Sequence, residues 1–285
     1  MNIQLFCILI AFLLPIGARA QVSSVRESSI TIGERLDFYS ERRKENSVIN
    51  VYLPSGYKES DTTRYPVVYL LDGALDEDFL HVTGLYQFYS SDWVGYVDKS
   101  IVVGIVASDR RKHYTFRTKI VSDSIKYPSS GHSEEFMDYL EMELQPFINS
   151  RYRTTRHKTI IGQSLAGLFA TEVLFKRPML FTRYLIVSPS IWWDNGSLLQ
   201  YEPTSLKTLK QQVQIYIGVG KEGLTPSATG RTMEQDAKLL SQKMEGLGNK
   251  NLELSFDYLP SEDHATILHQ ALANALRYCS HNYKK

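Results

Sequence analysis

Cysteine is nearly absent from this chain. Its 285 residues hold two, Cys7 and Cys279. Cys7 sits in an apolar N-terminal run, so a chain that loses that run keeps only Cys279 and forms no intramolecular disulfide. An excess of charge is missing too. Lys and Arg number 32 against 31 Asp and Glu, and no basic block interrupts the chain. Nucleic acid is therefore not an expected partner. No His, Cys or carboxylate cluster has metal-ligand spacing, so no metal and no cofactor is expected. No repeat of 20–50 residues appears, which excludes a solenoid. Beyond residue 20 no apolar run is long enough to span a bilayer. Nothing in the composition speaks to the oligomeric state.

What is present begins with residues 1–20. Leu5 to Ile16 is almost wholly apolar, and Ala18-Arg19-Ala20 gives a small-x-small cleavage pattern before Gln21. This reads as a cleaved secretory signal peptide, with a periplasmic or secreted mature protein. An uncleaved anchor is the alternative. Leu5-Phe6 before Cys7 lacks the small residue that lipidation requires. Residues 21–285 show no linker and read as one domain.

Within that domain strand-like and helix-like runs alternate. Tyr65–Leu71, Ser100–Val106, Thr159–Ile161, Arg183–Val187 and Val213–Val219 are continuous apolar runs, and Leu252–Tyr258 alternates. Helical spacing covers Ser133 to about Ile148, Leu165–Phe175, Met233–Leu247 and Thr266–Tyr278, with Ser133 as an N-cap. Apolar strands separated by helices imply a mostly parallel sheet covered on both faces. Ser29–Phe38 and Val48–Leu53 alternate like antiparallel partners. The expected fold is an α/β-hydrolase.

Gly162-Gln-Ser164-Leu-Ala166-Gly167 follows a β-branched run and opens a helix. That is the layout of a nucleophile elbow, in which a sharp strand-to-helix turn exposes a serine hydroxyl. A hydroxyl needs a base to take its proton. His264 lies after the last strand, where this fold expects the histidine. The acid belongs at the end of the preceding strand, which favours Glu222. Glu234 and Asp236 remain rivals. The oxyanion donors are expected to be the N–H groups of Leu165 and of Ala74, in the turn after Leu71.

Tyr65-Pro-Val-Val-Tyr-Leu-Leu-Asp-Gly73, the Ser164 elbow, Ser188-Pro-Ser-Ile-Trp-Trp193 and the His264 loop together resemble the putative-esterase family, over roughly residues 30–280. That family includes esterase D-like enzymes, siderophore esterases and antigen 85 acyltransferases. The resemblance implies a serine carboxylic-ester hydrolase working through an acyl-enzyme on a small-molecule ester. Ser164 would be nucleophile, His264 base and Glu222 acid. The Ser188–Asp194 stretch looks closest to the siderophore-esterase branch, whose substrates include catecholate trilactones. The chain departs from the family's Arg-Asp-x-Thr-Pro pattern, reading Asp109-Arg-Arg-Lys-His-Tyr-Thr-Phe116 without the proline. Trp192 and Trp193 could stack on an aromatic acyl group, and core packing fits them equally. Arg110 could attract an anionic substrate, and a solvated basic turn fits it as well. An acyltransferase, a polysaccharide acetyl or feruloyl esterase, and an inactive binding module are the other readings.

Overall fold

A computed structural model describes residues 24–280. The proposed signal segment, 1–20, lies outside the described residues. Residues 24–32 are exposed and carry neither helix nor strand, and residues from Gly33 onward form a separate compact unit.

That unit is built on eight strands: β1 (Glu34–Ser40), β2 (Glu45–Tyr52), β3 (Tyr65–Leu71), β4 (Ile101–Ile105), β5 (Thr154–Gln163), β6 (Arg183–Val187), β7 (Val213–Gly220) and β8 (Leu252–Leu259). Their order across the sheet is β1-β2-β4-β3-β5-β6-β7-β8. β2 is antiparallel to both β1 and β4, and the remaining pairings are parallel. This is the α/β-hydrolase fold. The first strand starts later than the alternation suggests, at Glu34 rather than Ser29.

The sheet divides the core in two because side chains alternate between its faces. In β3, Val67, Tyr69 and Leu71 enter one apolar cluster, with the helix Leu165–Lys176 and the stretch Phe136–Ile148. Val68 and Leu70 enter the other, with the helices Phe79–Tyr89 and Ile267–Tyr278. Pro66 has no N–H to give to the ladder, and the β3–β5 register shifts between Tyr65 and Val67.

The continuous helix expected over Ser133 to Ile148 is broken into three. α-Helix covers Ser133–Tyr139, a wider π turn covers Leu140–Leu144, and α-helix resumes over Gln145–Arg151. Pro146 cannot donate to the Met142 carbonyl, so the i→i−4 ladder fails there and the wider turn absorbs the break. His132, not Ser133, precedes the first helical residue, and the Ser133 N–H donates to Thr115 O instead. Cys279 is a buried free thiol in the second cluster, in keeping with its apolar helical setting.

Candidate active site

The C-terminal ends of β3, β5, β6, β7 and β8 meet at one edge of the sheet, where an open α/β sheet places its ligand site. Ser164 joins β5 to the helix Leu165–Lys176 with φ 61° and ψ −119°. Such a backbone survives only where its neighbours over-determine it. Here they do. The Ser164 N–H donates to Val187 O at 3.0 Å, and the Ser190 N–H donates to Ser164 O at 2.9 Å. A Cβ on Gly162 would stand 2.4 Å from Ala166 O, and one on Gly167 would stand 3.0 Å from Pro189 Cα. The small residues of the motif are thus a steric requirement of the turn.

Glu222 and His264 reach the serine from neighbouring strand ends. The Lys221 N–H donates to Glu262 O at 2.8 Å. A Cβ on Gly220 would meet that same oxygen at 2.6 Å. The end of β7 therefore clasps the loop after β8 and brings His264 over the elbow. Gln163 Nε2 donates to His264 O at 2.5 Å from the other side. His264 Nε2 then lies 3.1 Å from Ser164 Oγ, and His264 Nδ1 lies 2.5 Å from Glu222 Oε2. Glu222 Oε1 accepts from the Ser188 hydroxyl and, at 3.1 Å, from the Gly220 N–H. The Glu222 side chain is 1% exposed and that of His264 46%.

The rival carboxylates have other tasks. Glu234 Oε1 accepts from the N–H of Glu222 at 2.8 Å and of Gly223 at 3.3 Å. Burial alone would raise its pKa, but its own backbone N–H, the Thr232 hydroxyl and then these two amides hold it below the ordinary carboxylate value. Asp236 is buried and pairs with Arg231.

On the other side of the serine, Asp72 follows β3 with φ 55°. Gly73 follows, packed so closely on Gly104 that a Cβ would stand 2.3 Å from its Cα. Asn50 Nδ2 donates to Gly73 O at 2.8 Å, and the Gly73 N–H donates to Ile105 O at 2.9 Å. The next amide, Ala74, donates to Glu77 Oε2 at 3.3 Å. Leu165 is the first helical residue, so its N–H has no intrahelical acceptor.

A cleft of about 350 Å³ opens over Ser164 and His264, lined also by Asp72, Glu77, Asp78, Arg110 and Gln163. Arg110 is there, but its guanidinium forks onto Asp72, at 2.8 and 2.9 Å. Burial raises the Asp72 pKa even against that guanidinium. Burial, then repulsion from Asp72 and Glu77, pushes Asp78 up to about 6. Neither tryptophan lines the cleft. Trp193 is 1% exposed, donates its indole N–H to Phe116 O at 2.9 Å, and packs edge-on against half-buried Trp192. Trp193 is thus a core side chain, because both its ring and its one polar atom are already satisfied. Asp72, Glu77, Asp78, Gln163 and Ser188 were not singled out as site residues from the sequence. The signal is position: Asp72, Gln163 and Ser188 stand at or directly after a strand end on the edge that carries the elbow, and Glu77 and Asp78 lie in the turn that leads from β3 into the helix Phe79–Tyr89.

A model of the family described as "Putative esterase" matches residues 40–258, and the chain belongs to this family of carboxylic ester hydrolases. Ferri-bacillibactin esterase BesA of Bacillus subtilis is 26% identical over 255 residues, covering 84% of this chain and 87% of that one. A siderophore triacetylfusarinine C esterase of Aspergillus fumigatus is 27% identical over 198 residues, 65% of each chain. Among solved structures, an IroE-like serine hydrolase from Shewanella oneidensis matches with a TM-score of 0.76 at 30% identity, covering 86% of this chain and 79% of that one. The BES protein of Bacillus cereus matches with a TM-score of 0.77 at 26% identity, covering 91% and 99%.

Proposed function

We propose that the chain hydrolyses a siderophore ester through an acyl-enzyme on Ser164, with His264 as base and Glu222 as acid. The observation that carries this is the unbroken hydrogen-bond chain from Ser164 Oγ through His264 to buried Glu222. In the first half-reaction His264 Nε2 takes the Ser164 proton as Oγ adds to the ester carbon. The oxyanion is met by the N–H groups of Ala74 and Leu165, the former released from Glu77. Glu222 accepts the Nδ1–H throughout, which fixes the tautomer and stabilises the imidazolium. Collapse breaks the ester C–O bond, and His264 returns the proton to the departing alcohol. Water then repeats the sequence on the acyl-enzyme, releasing the acid and restoring Ser164.

The half-open imidazole gives water a path to the base, which favours hydrolysis over transfer to a second alcohol. The siderophore class rests on the relatives named above; any iron belongs to the substrate. Residues 1–20 are proposed as a signal peptide on the leader pattern alone, with Gln21 starting an exported protein. The test is a fluorophosphonate probe on wild type and Ser164→Ala, together with hydrolysis of siderophore lactones, acetyl esters and feruloyl esters. Labelling lost in Ser164→Ala and turnover of a siderophore ester above the others is the expected result. Faster turnover of feruloyl or acetyl esters would overturn the substrate class.

A further inference from the structure

The basic turn Arg110-Arg111-Lys112 stands beside the cleft, and its three charges are already engaged. Arg110 forks onto Asp72. The Arg111 guanidinium lies over the Tyr127 ring, 4.5 Å from its centroid. Lys112 Nζ donates to Glu45 at 2.6 Å, away from the cleft-lining residues. With Arg110 neutralised by Asp72, the lining keeps two carboxylates without a cationic partner there, Glu77 and Asp78. Asp78 makes no capping hydrogen bond to the helix that follows it. Glu77 does have a partner, and it is informative: the Ala74 N–H, the donor expected to meet the oxyanion. A substrate carbonyl must displace a carboxylate from that amide, beside a second carboxylate.

We propose that Glu77 and Asp78 set the charge selectivity of this site, so that it accepts neutral or cationic esters and discriminates against anionic ones. The inference rests on the ester-hydrolase reading above and names its substrate class. Above about pH 6 a substrate bearing negative charge meets two like charges, exposed Glu77 and half-buried Asp78, and the repulsion is strongest at Asp78, where burial weakens solvent screening. A ferric tris-catecholate carries three net negative charges and is disfavoured. A ferric tris-hydroxamate, in which three single charges cancel the iron, is not. Glu77 acts further by holding the Ala74 amide, so removing its charge also eases entry of any carbonyl.

The test compares three butyryl thioesters that differ only in leaving-group charge: those of thiocholine, 2-mercaptoethanol and 3-mercaptopropionate. Released thiol gives kcat/KM at low ionic strength. Wild type is expected to disfavour the anionic thioester about tenfold against the neutral one, with the gap shrinking as salt is added. Glu77→Gln and Asp78→Asn, alone and combined, preserve shape and hydrogen-bonding capacity. The double variant is expected to bring the anionic thioester within about twofold of the neutral one. Equal wild-type rates on all three, or an unchanged ratio in both the single and double variants, would overturn the inference while fluorophosphonate labelling of Ser164 keeps the hydrolase reading intact. No turnover and no labelling would overturn both.

Discussion

Replacing Glu222 by Gln tests the site at its most constrained atom. The carboxylate is buried and accepts on both oxygens. Oε1 takes the Ser188 hydroxyl and the Gly220 N–H, while Oε2 takes His264 Nδ1–H. A glutamine has one oxygen and one NH2. Two donors converge on the Oε1 position, so the amide oxygen settles there and the NH2 faces His264 Nδ1. That nitrogen must then be unprotonated, and its proton moves to Nε2. An Nε2–H 3.1 Å from Ser164 Oγ is a donor and cannot take the serine proton. By analogy with the acid-to-amide change in a serine protease triad, kcat should fall about 10⁴-fold, roughly 5 kcal/mol of barrier. Glu234→Gln keeps an acceptor for the Glu222 and Gly223 amides and should cost less than about tenfold. The assay is kcat on a chromogenic butyrate ester, with a thermal melt to show that each variant folds. A Glu222→Gln enzyme keeping a tenth of wild-type turnover, or a Glu234→Gln enzyme hurt more, would refute the reasoning.

Ser164→Ala should lower kcat about 10⁶-fold with an unchanged melting temperature, and His264→Ala should be about as damaging, because nucleophile and base act as a unit. Trp193→Ala should cost about 3–5 kcal/mol of stability in a denaturant titration. It should reduce aromatic and acetyl ester turnover alike, since the ring is core rather than cleft wall. A selective loss on aromatic esters would instead return Trp193 to the substrate. His113 is buried beside Arg43, and that burial with the adjacent guanidinium pushes its pKa down to about 4. The unfolded chain therefore takes up its proton near pH 6.5 while the folded one does not. Stability should fall by up to about 3 kcal/mol between pH 6.5 and 4, and His113→Gln should flatten that part of the pH profile.

The architecture is readable because strands β3, β4, β6 and β7 are buried on both faces. Continuous apolar runs give parallel strands whichever neighbour they pair with, so β3, β4, β6 and β7 lie within a residue of their apolar runs. The strand order is not written in any single run, and follows only once the fold is recognised. The helix Phe79–Tyr89 carries no clear apolar signature in the sequence. Its buried positions, Phe79, Val82, Thr83, Tyr86 and Tyr89, do follow helical spacing. Its stripe is aromatic and partly polar, with Gly84 in the middle, so it lacks the aliphatic contrast that marks the helices after β5. The π turn at Leu140–Leu144 was hidden for another reason: apolar spacing does not register a missing N–H, and only Pro146 signals it.

At the site, the residues nearest the proposed chemistry stand in short motifs whose sterics leave few options. Gly162 and Gly167 are glycines because backbone passes within 2.4–3.0 Å of where a side chain would begin. Such pressure leaves a mark in the sequence. The selection among Glu222, Glu234 and Asp236 leaves none, because all three sit in one stretch and differ only in what their oxygens face. The same holds for Arg110 and Trp193. A guanidinium reads as a free cation until Asp72, thirty-eight positions earlier, is seen to engage it. An indole reads as a stacking surface until its N–H is found on Phe116 O. Charge balance in the cleft is therefore a property of pairing rather than composition. A basic turn in the sequence becomes an acidic mouth in the fold, because each cation there is engaged and two carboxylates are left over.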